Sequence, residues 1–164
     1  MNPKRNDGLP PADETAYALL RLDELRLLVP QHDIRLLEPS VDVTLDAPPA
    51  GGIGWMTFRQ QRVPVFSLSA ELNWQSEAEK SHTICALLEA EGRYFGLLCT
   101  EVGLLGADEI AFHEIPRAMT TPQAPFHRLA LHGDHLACVS SASQIFAFLP
   151  SQGTSVDQGF RESL

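Results

Sequence analysis

Residues 54–68 read G-W-M-T-F-R-Q-Q-R-V-P-V-F-S-L, two apolar runs around a short polar one. The first run is bulky and aromatic enough for a strand, 59–62 form a polar corner, and 63–68 turn apolar again. Strand, turn, strand is the expected order. Pro64 adds a condition. Proline has no N–H to give to a ladder, so the second strand is expected at a sheet edge or with a bulge there.

The same punctuation recurs along the chain. Residues 82–88 and 93–99 flank Glu89-Ala90-Glu91-Gly92, with a glycine where positive φ is expected, and 126–131 and 135–139 flank His132-Gly133-Asp134. Many short strands with turns at regular spacing suggest a β-barrel or sandwich. Residues 17–22 and 25–29, split by Asp23-Glu24, suit a hairpin, but their leucine and charge also suit a helix, and propensity alone does not decide. Residues 31–38 read as a connector with Ile34 and Leu37 on one face, 46–52 as a turn-rich loop, and 69–73 as one helical turn capped by Ser69 or Ser67. The polar stretch 75–81 is a linker and a candidate boundary between lobes. Residues 104–123, interrupted by Pro116 and Pro122, are expected as strand fragments joined by loop. Ser140 or Ser141 can cap a closing helix over 142–149, which Pro150 ends. Residues 1–15 and 151–164 are polar and without periodicity. They read as a disordered leader and a flexible tail around one ordered domain, 16–150.

With 44% hydrophobic and 20% charged residues over 164 positions, the chain can form one domain or two small lobes sharing a core. Its formal charge of −9 repels nucleic-acid phosphates and anionic membranes, so no nucleic-acid partner is expected. No run approaches the roughly 18 apolar residues of a membrane span, and 1–14 carry no apolar signal core. A cytoplasmic protein without membrane insertion is the expectation. Cys85, Cys99 and Cys138 are odd in number and sit among apolar residues, so they are expected as reduced core thiols rather than disulfides or nucleophiles.

No pattern for catalysis or a cofactor emerges. His127, His132 and His135 gather around one hairpin, but the last two flank an exposed turn where histidine is ordinary, and no metal is expected. No Gly-x-Ser-x-Gly elbow occurs, and Ser140-Ser141-Ala142-Ser143 is better explained as a helix start. Gly51-Gly52-Ile53-Gly54 lacks the lysine and the helix of a phosphate-binding loop. The chain is expected to be no enzyme and to hold no cofactor.

The stretch 54–68 resembles, without a gap, the motif G-V-x-N-L-R-G-x-x-x-P-V-x-D-L of the chemotaxis coupling (CheW-like) proteins. Gly54, Arg59, Pro64, Val65 and Leu68 are identical to it, and Phe58 stands for the leucine. Residues 96–102 are similar to a second pattern of that family, G-L-V-V-D-x-V, and the strand and helix at the end are similar to its L-L-D-I strand and closing helix. The chain departs from these patterns at Thr57 for asparagine, at Gln60 for the second glycine, and at Ser67, Thr100 and Ser141 for aspartates.

The resemblance covers about residues 17–149 and favours the hairpin reading at the start. It implies two small SH3-like, five-stranded β-barrels sharing a hydrophobic core, with short helices including a C-terminal one. It also implies a non-enzymatic adaptor that couples a methyl-accepting chemoreceptor to a CheA-type histidine kinase, or serves a related, for instance pilus-linked, array. Such a scaffold acts by holding partners at fixed geometry and high effective concentration. Arg59, Phe58, Gln60 and Val65 are the interaction residues that the motif implies, and the planar fork of a guanidinium suits a carboxylate on a partner. The three lost aspartates point to a divergent member. A rival reading is a small β-barrel that binds or hydrolyses a ligand in a cavity, which requires a deep pocket with converging polar groups.

Overall fold

The computed structural model describes residues 16–117 and 124–150; the leader 1–15, the tail 151–164 and the segment 118–123 lie outside the described residues. The first hairpin is β1 (Ala16–Leu22) and β2 (Leu25–Pro30), so the strand reading holds over the helical one. A short 3-10 turn, Gln31–Asp33, leads to β3 (Ile34–Pro39). The central hairpin is β4 (Gly54–Phe58) and β5 (Gln61–Leu68), followed by the two-residue β6 (Trp74–Gln75). β7 (Ile84–Ala90) and β8 (Arg93–Cys99) form the third hairpin. Then come β9 (Glu101–Gly106), β10 (Ala111–His113), the hairpin β11 (Arg128–His132) and β12 (His135–Val139), and helix α1 (Ala142–Phe148).

These strands form two sheets. One runs β9-β1-β2-β12-β11-β10; the other runs β3-β7-β8-β5-β4, with β6 added beside β5. Both are curled, in keeping with two barrels that share a core and a C-terminal helix. Each sheet has six strands rather than the expected five, the extra ones being as short as β6 and β10.

Side-chain alternation assigns the core. In β7, Cys85 and Leu87 point into the second barrel while Ala86, Leu88 and Ala90 point into the layer between the sheets; β8 does the same with Leu98 against Phe95, Leu97 and Cys99. β1 mirrors this in the first barrel, with Leu19 inward and Ala18, Leu20 and Leu22 in the shared layer. Strands buried on both faces need near-continuous apolar runs, which these strands have. α1 closes the shared layer with Ala142 and Ile145.

Three expectations change. The linker 75–81 lies within the second sheet's lobe, and the chain crosses between sheets at Gln31–Asp33 and at Thr100, whose N–H donates to Arg21 O at 2.7 Å. Ile34 and Leu37 do not share a face, because 34–39 is a strand: Ile34 packs on the shared core and Leu37 is exposed. Residues 69–73 form a tight turn rather than a helical one, with Ser69 Oγ accepting from the N–H of Glu71 and Asn73.

Pro64 sits inside the sheet, yet breaks no ladder. Trp55, opposite it, directs its N–H and C=O to Thr44 on the other side, and pairing of β5 with β8 begins only at Val65. The missing N–H falls where no partner asks for one.

Candidate functional site

The β4–β5 hairpin turns on two residues, Arg59 (φ 52°) and Gln60 (φ 66°), rather than on the four-residue corner expected. Positive φ at both central positions is the signature of the type I′ turn, whose twist matches that of the flanking strands. Neither residue is glycine. Both side chains therefore stand exposed at the tip in a left-handed conformation that disfavours a Cβ.

Arg59 folds back over the Phe58 ring, its guanidinium carbon 5.0 Å from the ring centroid, and Phe58 meets Tyr94 edge-on at 5.1 Å. Phe58 is half-buried and packs on the core of the second barrel, so it acts as the platform for Arg59. Val65 does not belong to any surface. It is fully buried beside Met56 and Val63, because odd-numbered positions of β5 face the barrel interior, and it cannot meet a partner. Of the four motif residues, the structure thus exposes Arg59 and Gln60, half-exposes Phe58 and withholds Val65.

A second stack lies nearby that the motif did not indicate. Arg62 covers the Trp55 ring at 4.1 Å, and Trp55 Nε1 donates to Ala47 O at 2.7 Å, pinning the preceding loop. Arg59 and Arg62 are the only charged residues between Asp46 and Glu71. The hairpin is therefore a basic, aromatic protrusion on an acidic chain, the composition of interaction hot spots.

Two of the replaced acids converge elsewhere. Ser81 Oγ donates to Asp23 Oδ1 at 2.6 Å, Thr100 Oγ1 donates to the same oxygen at 3.4 Å, and His82 Nε2 lies 3.1 Å from Asp23 Oδ2. Ser67 Oγ then lies 3.4 Å from His82 Nδ1. Asp23, from the β1–β2 turn, thereby ties the first sheet to the second. Its carboxyl is held below its ordinary range chiefly by the Ser81 hydrogen bond, with His82 and Thr100 adding to this and partial burial opposing it. Ser141, the third position, caps α1 by accepting from Gln144 N–H. No local signature marks the Asp23 cluster, since Asp23, Ser67, the Ser81-His82 pair and Thr100 come from separate parts of the sequence.

Serine, histidine and aspartate in line suggest a hydrolytic triad only on paper. Ser67 has no exposed surface, so no substrate carbonyl can approach its hydroxyl. The three histidines lie around the β11–β12 hairpin as expected, but at its two ends: His127 Nδ1 bonds Gln144 Oε1 at the base, while His132 and His135 face each other beside the turn. Among the described residues no three His, Cys, Asp or Glu side chains converge on one point. Burial pushes the Cys85 and Cys99 thiols up to about 12 and also raises Cys138, so all three stay protonated at neutral pH. No helix among the described residues is long and apolar enough to cross a membrane.

Comparison with known proteins agrees with the fold. A search of curated proteins returns no match. The fold is similar to that of the scaffolding protein TtCheW from Thermoanaerobacter tengcongensis, with a TM-score of 0.58 and 17% identity over 76% of this chain and 87% of that one. The sequence model of the CheW-like domain matches residues 16–147. The chain belongs to the CheW-like domain family.

Proposed function

We propose that this protein is a non-enzymatic scaffold of a bacterial chemosensory system, working in the cytoplasm, that couples a chemoreceptor to a CheA-type histidine kinase or serves a related array. The observation that carries the reading is the tip of the β4–β5 hairpin. Arg59 and Gln60 are exposed and left-handed, and Gln60 makes no hydrogen bond or ion pair within the described chain. Strain without internal return favours use by a partner. A guanidinium resting on Phe58 offers a carboxylate both charge and a flat apolar flank. Family membership and the TtCheW-like fold support the scaffold class.

The test is capture of partners from a lysate of the source organism by the purified chain beside an Arg59→Glu variant, with identification by mass spectrometry. The reading expects a CheA-type kinase or a chemoreceptor with the parent chain and its loss with the variant. Recovery of neither by a folded parent chain overturns it.

A further inference from the structure

The mouth of the first barrel is basic although the chain is acidic. Pairing of β1 with β2 sets Arg21 directly opposite Arg26, and pairing of β11 with β12 sets His132 directly opposite His135. All four line one open groove of about 620 Å³ whose apolar floor includes Leu19, Ile84 and Val102. Beneath it a recess of about 30 Å³ lies between Leu28, Leu105 and Ala137. Like charges directly opposite one another weaken a ladder, so the Arg21–Arg26 pair is held against its own repulsion.

The fold does not neutralise it fully. Glu101, the acid in this groove, is 3.1 Å from Arg21. Arg26 is half-buried and has no carboxylate within ion-pair reach among the described residues. The neighbouring turns carry Asp23, Glu24 and Asp134, but the Asp23 carboxylate is turned toward Ser81 and His82. A guanidinium left half-buried without a counter-charge calls for an anion from outside.

We propose that this mouth binds a carboxylate carried by an extended, acidic segment of a partner protein. Arg26 pairs with the carboxylate through its planar fork, His132 and His135 offer ring N–H donors, and an apolar neighbour of the acidic residue covers Leu19, Ile84 and Val102. A peptide fits better than a free phosphate, because phosphate satisfies the guanidinium and leaves the apolar floor wet. Arg26, His132 and His135 belong to the first sheet, with Ile84 alone supplied by the second, and none of the groove's lining comes from the Arg59 hairpin, so the two assignments stand or fall separately.

A direct titration tests it: fluorescence anisotropy of a labelled peptide of alternating glutamate and leucine, against a glutamine–leucine control and inorganic phosphate as competitor. The glutamate peptide binds, the glutamine peptide binds about tenfold or more weakly, and added salt weakens the former. Arg26→Gln lowers affinity about tenfold and leaves Tm unchanged or raised, since the opposed charge is gone; Arg26→Lys retains part of the binding. Absent binding, equal affinity for the two peptides, or unchanged affinity in Arg26→Gln overturns the proposal. Phosphate that binds while the peptides do not also overturns it, in favour of an inorganic-anion site. Lower Tm with unchanged affinity makes Arg26 a structural residue and does the same.

Discussion

The hairpins β4–β5 and β7–β8 close with the same turn and opposite chemistry. Arg59 and Gln60 have φ of 52° and 66°; Glu91 and Gly92 have 53° and 85°. The first position of each is a strained polar residue, but the second is glycine only in β7–β8, where no Cβ resists the left-handed conformation. Folding alone would favour glycine at both tips. Gln60, where the family pattern has glycine, takes up the left-handed conformation without a side-chain hydrogen bond within the described residues to offset it.

The strands of the two hairpins differ as well, and substitutions at their glycines have the largest expected effect. A Cβ on Gly54 would overlap the Thr44 carbonyl, a backbone atom fixed by its bridge to Trp55. A Cβ on Gly96 would meet Cys85 Sγ at 2.8 Å and Val65 Cγ2 at 3.1 Å, which are side-chain atoms that can yield. Gly54→Ala is therefore expected to cost about 3 kcal/mol and Gly96→Ala about 1 kcal/mol, measured by urea unfolding. Equal losses would mean that the Thr44 bridge is as pliable as a side chain.

At the tips the effects are smaller and opposite in sign. Gly92→Gln copies the strained turn into β7–β8 and is expected to cost about 1 kcal/mol, while Gln60→Gly is expected to stabilise by a similar amount. The sharper readout is partner capture. Gly92→Gln should leave it intact, whereas Gln60→Gly should alter it despite the gain in stability. A Gln60→Gly chain that gains stability and captures the same partners equally well would reduce the tip to an unexplained local strain.

How much of this was legible follows from the kind of pattern each feature leaves. All four hairpins and α1 lie within two or three residues of their expected places, because apolar runs and turn residues are local signals. The exposed turn position of Arg59 and Gln60 was legible for the same reason. Val65 was not: β5 has apolar residues on both faces, and a run such as V-P-V-F does not say which face meets solvent. The polarity of 75–81 reported exposure and was silent on topology, so the crossings at Gln31–Asp33 and Thr100 went unread. Ser67 and Thr100 were noticed singly as departures from a pattern. Only folding brings them to Asp23 and His82, across separations that no spacing rule covers.

Asp23 supplies a third tip against which to set Gln60. It too has positive φ, at 60°, in the β1–β2 turn, but its strain is offset within the chain by Ser81, His82 and Thr100. Those contacts favour the ionised carboxylate, so the folded state binds fewer protons than the unfolded chain around the ordinary carboxylate range. The contribution is thus fully present above that range and is lost as the pH falls through the lowered value. Ser81→Ala removes the largest cause, and its expected signature is a flatter loss of Tm between about pH 6 and about pH 2, with a small decrease at neutral pH. Gln60→Gly should leave the acid limb unchanged, as nothing titratable holds that side chain. If Ser81→Ala keeps the parent's acid limb, Asp23 is not internally compensated, and its tip belongs with Gln60 rather than apart from it.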